Sequence, residues 1–246
     1  MKKTYFLLAI AALGINIHGQ KTIDQKVAEL LSKMTLEEKV GQMVQYSGFE
    51  YATGPQQSNS AAVLEEIKKG KVGSMLNVAG ADETRAFQKL AQQSRLKIPL
   101  LFGQDVIHGY RTTFPVNLGQ AASWDLAMIE KSERIAATEA SAYGIHWTFA
   151  PMVDIARDPR WGRVMEGSGE DTYLGTQIGL ARIKGFQGKG LGSLDAVMAC
   201  AKHFAAYGAA VGGRDYNSVD MSLRQLNETY LPPFKAAAEA LSLIHI

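Results

Sequence analysis

Residues 157–171 concentrate side chains that could bind a ligand rich in hydroxyls. Three arginines, four carboxylates and one tryptophan fall within these fifteen residues. Arginine and carboxylate groups can make paired hydrogen bonds to neighbouring hydroxyls, and an aromatic face can cover the apolar side of a sugar ring. The candidate residues here are Arg157, Trp161, Arg163 and Glu166. The alternative is a network of surface ion pairs that only holds a long loop in place.

A second candidate pair, Lys202 and His203, directly follows the apolar segment 197–201. Adjacent side chains of a regular strand point to opposite faces, but the register often breaks at a strand end, and both residues could then reach one ligand. The alternatives are a solvated lysine and a core histidine with satisfied hydrogen bonds. Schiff-base chemistry at Lys202 is a further alternative, which would require a buried, activated amine.

The remaining polar motifs carry less chemical information. A turn rich in glycine, at 208–220, presents Arg214 and Asp215, and turn chemistry alone explains its paired glycines. Neither a P-loop nor a Gly-x-Gly-x-x-Gly motif follows any apolar run. Four residues could in principle bind a metal, but none of their spacings is typical of a metal site, so we expect no metal and no other cofactor. These residues are Asp105, His108, Asp154 and His203.

Composition narrows the class of protein. The 246 residues carry a net charge of +2, and 20% of them are charged, so there is no basic field to attract nucleic acid. The hydrophobic fraction of 46% is typical of a globular chain that buries a sizeable core. A single cysteine, Cys200, excludes a disulfide framework within the chain.

Short apolar runs alternate with segments of helical periodicity along the chain. Such runs indicate strands buried on both faces, and their alternation with amphipathic helices predicts an α/β fold with a parallel sheet. The predicted strands are 72–78, 98–106, 146–153 and 197–204. The helices that follow them are predicted at 82–94, 125–142, 171–187 and 222–240, after two earlier helices at 36–44 and 61–69 and a loop at 47–60.

Individual residues mark where several helices begin and end. Thr35 and Glu38 form a capping-box pattern, and three aspartates stand where N-cap residues are expected. Gly144 follows one helix as a C-terminal glycine. The three aspartates are Asp82, Asp125 and Asp171.

The polar and glycine-rich stretches follow the predicted strands. One contains Asp105, the second spans 154–171, and the third spans 202–215. In parallel α/β folds, sites form at the carboxyl ends of the strands. We therefore expect these three stretches to meet in one site.

The first twenty residues have the pattern of a secretory signal peptide. Lys2 and Lys3 precede an apolar run at 5–17, which is shorter than the roughly 20 residues that a membrane span needs. Gly19 is a small residue near the expected cleavage point. The pattern predicts export to the periplasm or beyond, with no membrane attachment after cleavage.

Taken together, the motifs resemble glycoside hydrolase family 3, and most closely its periplasmic β-glucosidase branch. The resemblance runs from about Val27 to Ala240, in the family's order. It rests on Gln-Asp-Val-Ile-His-Gly at 104–109, Phe-Ala-Pro at 149–151, Arg-Asp-Pro-Arg-Trp-Gly-Arg at 157–163, Ala-Lys-His-Phe at 201–204, Gly-Arg-Asp-Tyr at 213–216 and Tyr-Leu-Pro-Pro-Phe at 230–234.

The resemblance implies a (β/α)8 TIM-barrel-like N-terminal domain and retaining hydrolysis of terminal, non-reducing β-D-glucosyl residues, with a β-glucoside or oligosaccharide as substrate. By that analogy Asp105, Arg163, Lys202 and His203 hold the sugar hydroxyls in the −1 subsite, while a second group braces the pocket. That second group is Arg157, Trp161, Glu166 and Arg214. Alternatives are β-xylosidase specificity and a sugar-binding protein without catalysis. The Lys-His-Phe-Ala-Ala sequence at 202–206 disfavours a β-N-acetylhexosaminidase, which usually has Lys-His-Phe-Pro-Gly.

The resemblance also implies that the two catalytic carboxyl groups lie elsewhere. In the family the nucleophile is an aspartate in a Ser-Asp motif after a later strand, and the acid/base comes from a following domain. Neither is found here, so we expect a barrel truncated after about four β/α units. The predicted division is a signal peptide at 1–20, an incomplete barrel domain at 21–240 and an aberrant end at 241–246.

Overall fold

A computed structural model describes residues 21–48, 60–78, 80–240 and 242–244. The helices of these residues are α1 (Ile23–Lys33), α2 (Leu36–Gly41), α3 (Ser60–Lys68), α4 (Ala81–Ala91), α5 (Asn117–Ala121), α6 (Leu126–Ala142), α7 (Thr172–Gln187), α8 (Leu223–Gln225) and α9 (Pro232–Glu239). The strands are β1 (Gln45–Ser47), β2 (Ser74–Leu76), β3 (Leu101–Gln104), β4 (Trp147–Thr148), β5 (Cys200–Ala201) and β6 (Leu243–Ile244). The predicted signal peptide lies outside the described residues, as does most of the predicted loop at 47–60.

The strands are parallel and follow one another in chain order. Strands β1 to β4 form one sheet, and β5 pairs with β6. Isolated parallel bridges, Trp147 with Met198 and Met152 with Lys202, join the two sheets between β4 and β5. A doubly wound sheet would reverse its strand order, whereas a barrel keeps it. The described residues thus form an α/β fold of the TIM-barrel type, as predicted.

The core lies where the helices pack on this sheet. The predicted strand segments contribute Met75, Phe102, Ala150 and Val197, which are at most 2% exposed. The main cluster on the helix side includes Val63, Ile67, Phe87, Ala136, Ala137, Ala140, Ile183, Phe186, Phe234 and Ala237. Helix α7 packs against both α6 and α9. The apolar runs were therefore buried strands, as their composition indicated.

Several boundaries differ from the sequence prediction. The strands are two to four residues long, because only part of each apolar run pairs continuously with a neighbour. Strand β1 and helices α1 and α5 were not predicted. The prediction of one continuous α-helix at 222–240 is wrong, because a π-helical turn at Leu226–Tyr230 separates α8 from α9. Strand β6 lies in the segment predicted as aberrant, and the division at residue 240 stays a prediction.

The predicted helix caps are confirmed with one exception. The carboxylates of Asp125 and Asp171 accept the backbone N–H groups three residues ahead, and Thr35 forms its capping box. Gly144 has a φ of 84°, in the left-handed region that favours glycine at a helix end. The prediction for Asp82 is wrong, because α4 begins at Ala81 and places Asp82 inside its first turn. Among the helices of the described residues, none has the length and apolar character of a membrane span.

Candidate functional site

The candidate residues lie in the segments that follow β3, β4 and β5. Asp105 comes directly after β3, and Lys202 and His203 come directly after β5. The backbone N–H of Val153 donates to the carbonyl of Lys202 at 2.9 Å, which fixes the segment after β4 beside the segment after β5. Because the carboxyl ends of parallel strands meet at one edge of a sheet, residues distant in sequence become neighbours here.

Lys202 and Asp105 form the first contact of the site. The Nζ of Lys202 donates to Oδ1 of Asp105 at 2.7 Å. The lysine side chain is 7% exposed and the aspartate side chain 51% exposed, so a buried ammonium group meets a carboxylate that solvent can reach. An ammonium group has three donors. The ion pair with Asp105 uses one of these donors, and two remain that could donate to a hydroxyl.

His203 lies between Asp154 and Arg163. Oδ2 of Asp154 accepts hydrogen bonds from the backbone N–H of His203 at 2.8 Å and from its imidazole Nδ1 at 2.9 Å. On the other side of the ring, Nε2 lies 3.3 Å from Nη1 of Arg163. The ring of Tyr207 packs edge-on against the imidazole, with centroids 4.9 Å apart. The imidazole is therefore held on three sides.

Glu166 holds the guanidinium of Arg163 in a bidentate ion pair. Nε and Nη2 of Arg163 donate to the two carboxylate oxygens at 2.7 and 2.8 Å. This pairing raises the pKa of Arg163 above its ordinary range and lowers the pKa of Glu166. The guanidinium also lies over the ring of Tyr207, 5.5 Å from its centroid. Arg163 is thus fixed as a charged donor beside His203.

Trp161 anchors the loop at 157–163. Its side chain is 1% exposed, so its ring offers no open face to a sugar. Its indole N–H donates to Oδ1 of Asp215 at 2.9 Å, and this bond lowers the pKa of Asp215. Its ring meets that of Tyr207 edge-on, with centroids 5.1 Å apart. The tryptophan therefore ties the 157–163 loop to the turn at 211–216.

Arg157 and Arg214, the other two residues expected to brace the pocket, are both exposed. Arg157 is exposed and lines a separate cleft of about 400 Å³, together with Asp158, Arg160 and Asp220. The lining of that cleft includes none of the four residues expected to bind the sugar. Arg214 is exposed on its turn. The structure thus groups Glu166 and Trp161 with the predicted site, places Arg157 in the lining of a separate cleft and places Arg214 on an exposed turn beside Asp215.

Sequence reasoning missed two contributors to the site. Asp154 was considered only as a metal ligand, and Tyr207 was not considered. The signal for Asp154 was its position directly after an apolar run, at the carboxyl end of a predicted strand. Within the part of the chain that the structure describes, no cluster of three or more His, Cys, Asp or Glu residues is arranged to hold a metal.

Comparison with known proteins identifies the family. Residues 35–244 match the Glycosyl hydrolase family 3 N terminal domain. The chain belongs to glycosyl hydrolase family 3. The family resemblance predicted from the sequence is therefore confirmed.

Individual members of glycosyl hydrolase family 3 are similar over most of this chain. This chain is 45% identical to the periplasmic β-glucosidase of Salmonella typhimurium, over 93% of this chain. It is 36% identical to a putative β-xylosidase of Formosa agariphila, over 92% of this chain. The crystal structure of β-glucosidase from Listeria innocua in complex with isofagomine superposes with a TM-score of 0.82 at 43% identity, over 91% of this chain. The chain spans about a third of the length of these relatives, 30–32% in each case.

Proposed function

We propose that this chain supplies the glucosyl-binding part of an exported, retaining β-glucosidase. The observation that carries the proposal is the pair of contacts Lys202–Asp105 and His203–Arg163. Two neighbouring residues after β5 each meet a charged partner from another segment, so four groups with different hydrogen-bonding roles lie side by side. The Salmonella periplasmic β-glucosidase and the Listeria β-glucosidase, similar over nine tenths of the chain, support this choice of substrate.

The chemistry of the four groups suits a sugar at the −1 position. Asp105 offers an acceptor that solvent can reach, Lys202 has donors beyond the one used by the aspartate, and Arg163 is fixed in charge and orientation by Glu166. Groups held in place in this way orient a substrate and stabilise charge that develops at the anomeric carbon. Retaining hydrolysis also needs two carboxyl groups about 5–5.5 Å apart. We propose that these belong to other parts of the family's architecture, so that this chain binds the sugar and releases no product by itself.

Calorimetric titration of the purified chain with isofagomine and with glucose tests the proposal. We expect binding of both, and at least about tenfold weaker binding in Asp105→Asn, since a hydrogen bond to a charged group contributes roughly 1.5–3 kcal/mol. Asp82→Asn is the matched control, because the Asp82 side chain is fully exposed on α4. A folded chain that binds neither ligand would contradict the proposal. Turnover of an aryl β-glucoside that Asp105→Ala abolishes would also contradict it and require another carboxylate pair.

β-Xylosidase specificity is the second candidate, favoured by the putative β-xylosidase among the similar proteins. Xylose lacks the hydroxymethyl group of glucose. The two candidates are therefore separated by measuring how strongly each sugar competes with isofagomine for the site. Stronger competition by glucose supports the first proposal, and stronger competition by xylose supports the second.

Export is the remaining part of the proposal. It rests on Lys2, Lys3 and the apolar run at 5–17, and on the periplasmic β-glucosidase among the similar proteins. Expression of the full chain in a Gram-negative host, followed by fractionation and N-terminal sequencing, tests it. We expect a product in the periplasm that begins near Gln20, whereas an uncleaved product in the cytoplasm would contradict export.

A further inference from the structure

The carboxylate of Asp154 is buried and directed at a single residue. Its side chain is 0% exposed, and Oδ2 accepts from both the backbone N–H and the imidazole of His203. The neighbouring backbone fixes its place, because Met152 bridges to Lys202 and Val153 donates to the carbonyl of Lys202. Oδ1 of Asp154 is buried without a hydrogen-bond partner among the described residues. A buried carboxylate with one unpaired oxygen is costly, so stability alone does not explain an aspartate here.

Hydrogen-bond chemistry at the two ring nitrogens of His203 leads to one tautomer. An ionised carboxylate only accepts, so the proton must lie on Nδ1, 2.9 Å from Oδ2 of Asp154. A guanidinium only donates, so Nε2, which lies 3.3 Å from Nη1 of Arg163, must offer a lone pair. A second proton on Nε2 would point at a positive charge. The two neighbours therefore favour the same tautomer independently, with the proton on Nδ1 and the lone pair on Nε2.

We propose that Asp154 is a positioning residue that fixes His203 as the Nδ1–H tautomer, so that Nε2 acts as a hydrogen-bond acceptor in the site. His203 then receives a hydrogen bond from Arg163, and because Nε2 has a single lone pair, a sugar hydroxyl that donates to it would replace Arg163 as the donor. Its role thus differs from that of Lys202 and Arg163, which donate. The part of this inference that concerns the sugar rests on the proposed function, whereas the tautomer does not.

Long-range ¹H–¹⁵N NMR of the histidine side chains in the full chain tests the tautomer directly. The chain has five histidines, and the signals that disappear from the spectrum of His203→Gln are those of the His203 ring. We expect a protonated Nδ1 and an unprotonated Nε2 in the unsubstituted protein. Asp154→Ala removes the acceptor and should shift the ring toward Nε2–H, while Asp154→Asn should keep the original tautomer because the amide oxygen can still accept both bonds. Asp158→Ala is the matched control in the same loop, since Asp158 pairs with the exposed Arg160.

The NMR and binding measurements separate the possible failures. An Nε2–H signal in the unsubstituted protein would overturn the proposal, and this holds even where Asp154→Ala does not fold. An unchanged tautomer in a folded Asp154→Ala variant would overturn it too. With isofagomine as the probe, we expect binding at least about tenfold weaker in Asp154→Ala and largely rescued in Asp154→Asn. The expected tautomer without any isofagomine binding would reject the proposed function and leave the role of Asp154 intact.

Discussion

Arg182 on α7 and Glu133 on α6 form an ion pair that water does not reach. The two side chains are 2% and 1% exposed. The guanidinium also donates to Oδ1 of Asn117 at 2.9 Å and to Oε1 of Gln120 at 3.3 Å, so the pair extends into α5. Burial raises the pKa of Glu133 to about 7, and Arg182 opposes that shift. Helices α5, α6 and α7 are thus joined by buried hydrogen bonds of Arg182 as well as by apolar contacts.

Loss of the arginine should destabilise the fold strongly. We expect Arg182→Met to lower the free energy of unfolding by about 3–5 kcal/mol, because it leaves Glu133 and the amide oxygens of α5 buried without their donor. Urea denaturation followed by circular dichroism measures the change. Lys184→Met is the matched control on the same helix, since Lys184 is exposed and its pair with the half-buried Glu130 should contribute less than about 1 kcal/mol. Equal effects of the two substitutions would show that the buried pair has no special role.

The raised pKa of Glu133 also gives stability a pH dependence. In the unfolded chain the carboxyl group titrates near 4.5, whereas in the folded chain it titrates near 7. Between these values the folded state holds a proton that the unfolded state has released, so stability falls as the pH rises from about 4.5 to about 7. The slope from one group is at most about 1.4 kcal/mol per pH unit. Urea midpoints measured across this range should change less in Glu133→Gln than in the unsubstituted protein.

The close approach of α6 and α7 depends on a glycine. A Cβ atom at Gly185 would lie 2.5 Å from the carbonyl oxygen of Glu130 and 2.7 Å from Cβ of Glu133. We expect Gly185→Ala to lower the free energy of unfolding by about 1–3 kcal/mol, because the helices must move apart. Gly119→Ala on α5 is the control, since its nearest neighbours lie at 3.9 Å, and it should be neutral or slightly stabilising. Thermal or urea unfolding of the two variants compares them directly.

Much of the fold could be predicted from hydrophobic pattern alone. Apolar runs such as 72–78 are largely buried on both faces, which a sheet covered by helices allows. Strand β1 could not be predicted in this way, because Gln45–Ser47 contains no apolar run. Helix α1 could have been, since Ile23, Val27 and Leu30 recur at helical spacing after a capping box at Thr22.

The site was predictable in part for a related reason. Residues that follow parallel strands must meet at one edge, which places Asp105 near Lys202 although 97 positions separate them. The contact of Asp154 with His203 depends on the register between the segments after β4 and β5, which composition does not encode. The pair of Glu133 with Arg182 was missed because charged residues on amphipathic helices are usually exposed, and only the packing of α6 on α7 buries them.

Substitution of Lys202 should weaken ligand binding without a large loss of folding stability. We expect Lys202→Met to weaken isofagomine binding at least about tenfold while changing the free energy of unfolding by less than about 1.5 kcal/mol. The reason is that the half-exposed Asp105 can be solvated when its partner is lost, unlike Glu133. Calorimetry and urea denaturation on the same preparation give both quantities. A loss of stability as large as that of Arg182→Met would contradict this assignment.

Glu166 connects the candidate site with helices α5 and α7. Its carboxylate holds Arg163, while its carbonyl oxygen accepts a hydrogen bond from Nδ2 of Asn117 at 2.7 Å, and Asn117 in turn accepts from Arg182. A ligand that binds only the folded state makes every opening motion that disrupts its site less frequent. Amide hydrogens of α5 and α7, which no sugar would touch, are therefore expected to exchange with deuterium more slowly once the carboxyl ends of the strands are occupied.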